Sequence, residues 1–508
     1  MSDSAISEDR SRGRLGNSRH QPLLWLILLG LILGFAFQGT RGLWSPDEGR
    51  YVGAALQMLD SGNFLAPGYS PSELNFSKPP LTYWLIASSL QVFGRNTWAA
   101  RAPYAISLVL TMWVLYAMGR RLVPEKPWLP GLVYSCTLFP FLTANIISTD
   151  VFLTLFEALA VLGFVRSIVF DDERDRRRGV TLMWLGFGLA FLTKGPPGLL
   201  PLLAVLIHAA CRDGWRGVAR AFTWVGMAVF LVVGFTWYLL AAMRYPWLLH
   251  YFVHQEVYGR IFTAVHRRHP GLFGWAVVYL PVLTLGSLPW WPGLMRAVRS
   301  SISPANWRRW YGQHAIEPFL WLWFLVPFVV FCLSQSRLPL YVLPLFLPLS
   351  LLVALQLRDR VDLQITRQRV MLCLWVFALV AAKGIVAYAM HPAEDNRQAA
   401  REIAAMTPLQ DVAAVIVIVN TDAMYAIEEQ TPWGLRLYLN KPVYGVAWRA
   451  PEGAASLCSA IREQHQALVI VDHAIDPAAI QPALAACQVH APAPLGIWRG
   501  NALMRVQG

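Results

Sequence analysis

"PLLWLILLGLILGFAFQGTRGLWSPDEGRYV", residues Pro22–Val52, decides how the rest of the chain is read. Its first part, residues 22–40, is an uncharged apolar run close to the roughly 20 residues that a membrane-crossing helix needs. The run is too long for a removed leader and no small-residue cleavage site follows, so it is expected to stay as a helix. Just past its end stand Asp47 and Glu48. Acids in a first helical turn after Ser45-Pro46 are ordinary. They point to chemistry only if other reactive groups gather on the same side.

The chain has 508 residues, of which 56% are hydrophobic and 14% charged, where a soluble domain carries about a quarter charged. Apolar segments recur as far as Met390, which predicts a polytopic all-α membrane domain. With the basic tail Arg10, Arg12, Arg14 and Arg19 inside, further spans fall near residues 101–119, 128–146, 150–170, 179–193, 196–211, 222–242, 273–291, 318–334, 338–357 and 370–389. That makes about eleven crossings, and every Arg-dense loop lands inside. One such loop is "DDERDRRR", Asp171–Arg178. The net charge of +13 is therefore read as the positive-inside rule at work, with no nucleic acid as partner.

Residues 79–94 are apolar enough to cross, but a crossing there would put every later Arg cluster outside. Residues 41–100 are read instead as one large external loop with helices lying at the interface. The short pair at 179–211 could be a re-entrant hairpin, which leaves the parity unchanged. The division expected is a cytoplasmic tail over 1–21, a transmembrane domain over 22–390, and a small α/β extracytoplasmic domain over 391–508. "VAAVIVIV" (Val412–Val419) and "ALVIVD" (Ala467–Asp472) read as its buried strands. Cys458 and Cys487 lie in this domain and could pair if it is outside. No cysteine spacing of metal-binding type occurs.

The outer face collects Asp47, Glu48 and Arg50, then Lys78 in "NFSKPPL", Asp150 in "IISTD" and Lys194 in "FLTKGPPG". It also holds Arg260, His266, Arg267, Arg268 and His269 in "YGRIFTAVHRRH", and Arg337 and Tyr341 in "SQSRLPLY". Each has a plain alternative. Asp150 could cap a span, Lys194 could snorkel, the His–Arg run could be a solvated loop, and Tyr341 could be an interfacial anchor. His266 and His269, three apart, are weak candidates for a divalent metal, the one cofactor the sequence leaves open. Together, acids and cations at one membrane face suit a substrate with a phosphate headgroup and a lipid tail. Lysine and arginine would hold a phosphate leaving group, and an acid would orient or deprotonate a nucleophile. Glycosyl transfer from a lipid-phosphate sugar is the chemistry this suggests. A polyprenyl-lipid flippase would place its charges near the bilayer midplane instead. A non-catalytic scaffold acting through the outer domain is the remaining alternative.

"SPDEGRYVGAALQMLDSGNFLAP", "NFSKPPLTYWLIA", "STD" and "AFLTKGPPGLLP" together resemble the 4-amino-4-deoxy-L-arabinose lipid A transferase family, within the protein O-mannosyltransferase-like membrane glycosyltransferases of GT-C fold. The resemblance covers about residues 22–345. It implies a polyprenyl-phosphate sugar donor, an inverting transfer without nucleotide, a bacterial inner-membrane location with the site periplasmic, and usually thirteen spans. It implies Asp47 as the catalytic carboxylate, with Glu48 its neighbour and Asp150 a second acid. Lys78, Lys194 and Tyr341 match residues expected at the donor phosphate, and Arg260, Arg268 and Arg337 belong with its basic outer segments. Where the lipid A enzymes commonly read Phe-Glu-Lys-Pro-Pro, this chain has Ser77 before Lys78, which weakens the case for a metal. Lipid A is the leading acceptor, with another envelope glycan or a protein hydroxyl behind it.

Overall fold

The computed structural model describes residues 21–507 apart from 71–72, 170–171, 253, 255–268, 270, 272, 304–305, 307–315, 391, 465 and 490–491. The fold is mostly helical. Among the described residues, five helices are long and apolar enough to cross a membrane: Thr97–Leu122, Thr149–Ile168, Trp224–Arg244, Pro339–Leu357 and Thr366–Ala389. Shorter apolar helices cover Gln21–Phe35, Gly274–Ser287 and Glu317–Leu333. Large apolar side chains such as Val232, Leu239, Leu333 and Phe377 are exposed on these helices, as suits a lipid rather than an aqueous surround.

Two expectations change in detail. The span expected at 128–146 is two short helices, Leu129–Cys136 and Leu138–Thr143, with Thr137 extended between them. Pro140 has no N–H for the Cys136 carbonyl and its ring crowds that group, which favours a break one turn before it. The pair at 179–211 is longer than its apolar residues. It comprises Glu173–Lys194, capped by the Asp172 side chain on the Asp175 amide, and Leu200–Arg220. A single 3-10 turn, Pro196–Leu199, joins them.

The chain divides into two compact units: residues 1–36, 77–79 and 104–383, and residues 37–76, 80–103 and 384–508. In the first, the apolar helices pack around a core that includes Trp184, Phe187, Phe319 and Trp323. Its tightest pairing is between the helix Thr149–Val169 and the helix Glu173–Lys194 that follows it. A Cβ on Gly163 would meet the Met183 amide nitrogen at 2.3 Å, so only glycine lets the two backbones approach this closely. Because they run antiparallel, the first turn of one lies beside the last turn of the other.

In the second unit the strands form one five-stranded sheet. They are β1 (Ala414–Val419), β2 (Val443–Ala447), β3 (Gln466–Val471), β4 (Ala493–Trp498) and β5 (Asn501–Gln507). β1 pairs in parallel with β2 and β3, and β5 pairs antiparallel with β3 and β4. Both faces of β1 are covered, which is why it reads as an unbroken apolar run. Val415, Val417 and Val419 enter one cluster, and Ala414, Ile416 and Ile418 another. The first cluster also contains Ala54, Met58, Tyr69 and Tyr83. The segment between the first two apolar helices therefore roofs one face of the C-terminal sheet, through the helices Asp47–Ser61 and Leu81–Phe93. On the other face, a Cys458–Cys487 disulfide ties the helix Gly453–Gln464 to the end of the helix Pro477–Ala486.

Candidate active site

In the membrane unit, the antiparallel pairing explains why residues 44 positions apart meet. Asp150 opens one helix and Lys194 closes the next, and the Lys194 ammonium donates to the Asp150 carboxylate at 2.5 Å. Both side chains are buried, with 10% and 7% of their surfaces exposed. Tyr341 arrives from the 3-10 turn Pro339–Leu345. Lys194 Nζ lies 4.3 Å from the centre of its ring, close enough for a cation–π contact. An ammonium carries three donors. With one on Asp150 and one over the ring face, a third can serve an anionic oxygen.

Arg337, expected at the donor phosphate, has most of its donors on backbone carbonyls. Its guanidinium is buried and donates to the backbone carbonyls of His269 (2.8 Å), Gly271 (2.9 Å) and Cys332 (2.9 Å). These bonds fix the chain at residues 269 and 271, while its buried Nε has no partner among the described residues. Lys78 is half-buried, and its Nζ donates to the Ser77 carbonyl at 3.0 Å. Arg260, His266 and Arg268 lie outside the described residues. His269 is exposed. Among the described residues, no group of three or more His, Cys, Asp or Glu is arranged to hold a metal ion.

In the second unit, Asp47 and Glu48 begin the helix Asp47–Ser61 but face different surroundings. Glu48 is buried between two guanidiniums. Arg41 donates to its two oxygens at 2.6 and 2.7 Å, Arg101 donates at 2.7 and 3.4 Å, and the Trp44 amide at 3.0 Å. Burial alone would raise the Glu48 carboxyl. Arg101 and Arg41 overcome that and hold it at about 2. A carboxylate so occupied is an anchor for the turn, ill suited to accept a proton at neutral pH. Asp47 is about half-exposed (49%) and is ion-paired with Arg50, one turn along the same helix. It is the more accessible acid of the two.

Two features escaped the sequence reading. Arg41 and Arg101 carry no motif that links them to Glu48. Glu157, a lone acid in an otherwise apolar stretch, is buried two turns beyond Asp150 on the same helix. Its seven-residue spacing from Asp150 puts both on one helix face. That spacing was the available signal.

Comparison with known proteins agrees with this architecture. Residues 77–283 match the family model described as dolichyl-phosphate-mannose-protein mannosyltransferase. An undecaprenyl phosphate-alpha-4-amino-4-deoxy-L-arabinose arabinosyl transferase 2 of Pseudomonas fluorescens (strain Pf0-1) is 31% identical over 347 residues, covering 67% of this chain and 60% of that protein. The corresponding transferase of Pseudomonas aeruginosa PAO1 is 29% identical over 354 residues, covering 68% and 61%. The chain thus spans about 60% of the length of these curated relatives. The crystal structure of ArnT from Cupriavidus metallidurans bound to undecaprenyl phosphate superposes with a TM-score of 0.74 at 20% identity, covering 96% of this chain and 98% of that one. The same enzyme in its apo state gives 0.71. The chain is thus similar in sequence to these transferases over its membrane part, and it shares the fold of the solved ArnT structures.

Proposed function

We propose that this chain, a GT-C fold relative of the aminoarabinose transferases, is an integral-membrane glycosyltransferase that moves a sugar from a polyprenyl-phosphate donor to a cell-envelope acceptor, with lipid A leading. The observation that carries the reading is the buried Asp150–Lys194 pair under Tyr341. A charged pair taken out of water at a helix mouth is costly unless an anion or water completes it. A lipid phosphate would complete it. In the transfer, an acceptor oxygen forms a bond to the anomeric carbon as the bond from that carbon to the phosphate oxygen breaks. The polyprenyl phosphate leaves with the electron pair, and Lys194, with Lys78, neutralises the growing charge. Single displacement inverts the anomeric centre. A phosphate acceptor is already anionic and needs positioning, whereas a hydroxyl acceptor would give its proton to Asp47. The Cys458–Cys487 disulfide supports an oxidising compartment for the C-terminal unit. In a bacterial inner membrane that compartment is the periplasm, and the site is read as facing it.

The test is transfer by wild-type protein and Asp47→Asn in membranes supplied with a polyprenyl-phosphate aminosugar and lipid A, with products weighed by mass spectrometry. Wild type should give a glycosylated product. The variant should insert normally and give none. Full transfer by Asp47→Asn would remove the carboxylate from the mechanism. Transfer that persists with dephosphorylated lipid A would move the acceptor from phosphate to hydroxyl.

A further inference from the structure

The C-terminal α/β unit has no chemistry of its own in the sequence, yet the turn bearing Asp47 is built against it. The Ser45 amide donates to the Glu394 carbonyl at 2.9 Å, and the Asn396 amide donates to the Leu43 carbonyl at 2.9 Å. The Asn396 side chain donates to the Leu43 carbonyl (2.9 Å) and to the Ser45 hydroxyl (3.0 Å). One turn into the helix, a Cβ on Gly49 would meet the Gly434 amide nitrogen at 2.8 Å, so the helix lies directly on the 433–434 backbone. Trp433 stacks on Tyr69 with ring centres 4.4 Å apart, and its indole N–H donates to the Glu428 carbonyl at 3.3 Å. From this platform the Glu428 carboxylate reaches the Arg50 guanidinium at 3.5 Å, and the other arm of Arg50 holds Asp47.

We propose that Glu428 is a positioning residue for the transfer reaction: it holds Arg50, Arg50 orients Asp47, and the C-terminal domain is thereby part of the machinery rather than an appended binding module. The inference rests on the reading of Asp47 as the acid that acts on substrate. Of the three side chains Asp47 is the most exposed at 49%, against 18% for Arg50 and 28% for Glu428. The end that could face a substrate is thus the open end, and the supporting end is the covered one. Without Glu428 the Arg50 guanidinium loses the one of its two carboxylate partners, among the described residues, that lies outside the Asp47 helix, and Arg50 and Asp47 can swing together. A geometric error at a reacting group lowers turnover more than ground-state binding.

Steady-state kinetics of Glu428→Gln, Glu428→Asp, Arg50→Gln and the Arg50→Gln/Glu428→Gln double variant test this in the full-length protein. Glu428→Gln should lower kcat about three- to fivefold, the range of a partly exposed charge pair, with donor KM and thermal midpoint unchanged. Glu428→Asp should recover part of that loss. In the Arg50→Gln background, Glu428→Gln should cost nothing more, because the link it acts through is gone. Wild-type kcat in Glu428→Gln would overturn the proposal, as would a loss that appears undiminished in the Arg50→Gln background. Asp47→Asn separates the two readings. If it is inactive while Glu428→Gln is normal, only the positioning role fails, and if it is active the role of Asp47 fails first.

Discussion

Replacing Glu48 with glutamine is the most exacting test of how the Asp47 turn is held. The variant keeps the shape of the side chain and removes the charge that separates Arg41 from Arg101. The carboxyl lies at about 2 in place of the ordinary 4.5, so its ionised form contributes about 3 kcal/mol at neutral pH. Removing one partner of a buried ion pair costs about 3–5 kcal/mol by an independent route, so the two magnitudes agree. For a unit of this size that is a fall of about 6–12 °C in the thermal midpoint, read by tryptophan fluorescence in detergent. The sign with pH follows from a folded pKa that is depressed. The contribution is complete above about 4.5 and is lost as pH falls towards about 2. The gap between wild type and Glu48→Gln should therefore shrink by about half or more between pH 7 and pH 3. A variant within a degree or two of wild type at pH 7, or a gap that does not narrow in acid, would show that Arg41 and Arg101 are satisfied without this carboxylate.

Lys194→Gln should raise donor KM by about 10- to 100-fold, the loss of one charge-assisted bond to phosphate, measured with polyprenyl-phosphate sugar in detergent. It should also lower the thermal midpoint by stranding buried Asp150, and the Asp150→Asn/Lys194→Gln double variant should regain part of that stability without regaining donor affinity. Cys458→Ser opens a loop with a sequence separation of 29 residues and should cost about 3 kcal/mol in the sheet-bearing unit. Limited proteolysis of wild type with and without reductant should show the same weakening.

Much of the membrane unit was legible because its cause is local. A run of apolar residues between arginines specifies a crossing whatever it packs against, and the unbroken apolar run of β1 is equally self-contained. The break at Thr137 was only half legible: Pro140 weakens the helix there, yet Pro103 and Pro327 sit inside unbroken ones. The pairing of Asp150 with Lys194 follows from two helices running antiparallel, so a correct topology already puts these residues at one end. Tyr341 is brought beside them by a segment some 150 positions further on, and the resemblance, not the spacing, singled it out. Glu48 and Arg337 show the opposite limit. Charge at a membrane face makes both conspicuous in the sequence, but their partners are not. Glu48 is enclosed by Arg41, Arg101 and the Trp44 amide, and Arg337 by three carbonyls, and nothing in one dimension reveals partners 53 or 68 positions away.

The bond from Asn396 to Leu43 spans 353 positions of chain. On a ribosome adding about 5–20 residues each second, the turn carrying Asp47 leaves the tunnel roughly twenty seconds to a minute before the support it leans on exists. Throughout that interval the newborn protein has its first helices in the bilayer but no finished acid. A chain ended by a stop codon before the sheet would keep its first apolar helices and lack the Asn396 support of that turn, so insertion and a finished turn are separate events in its synthesis.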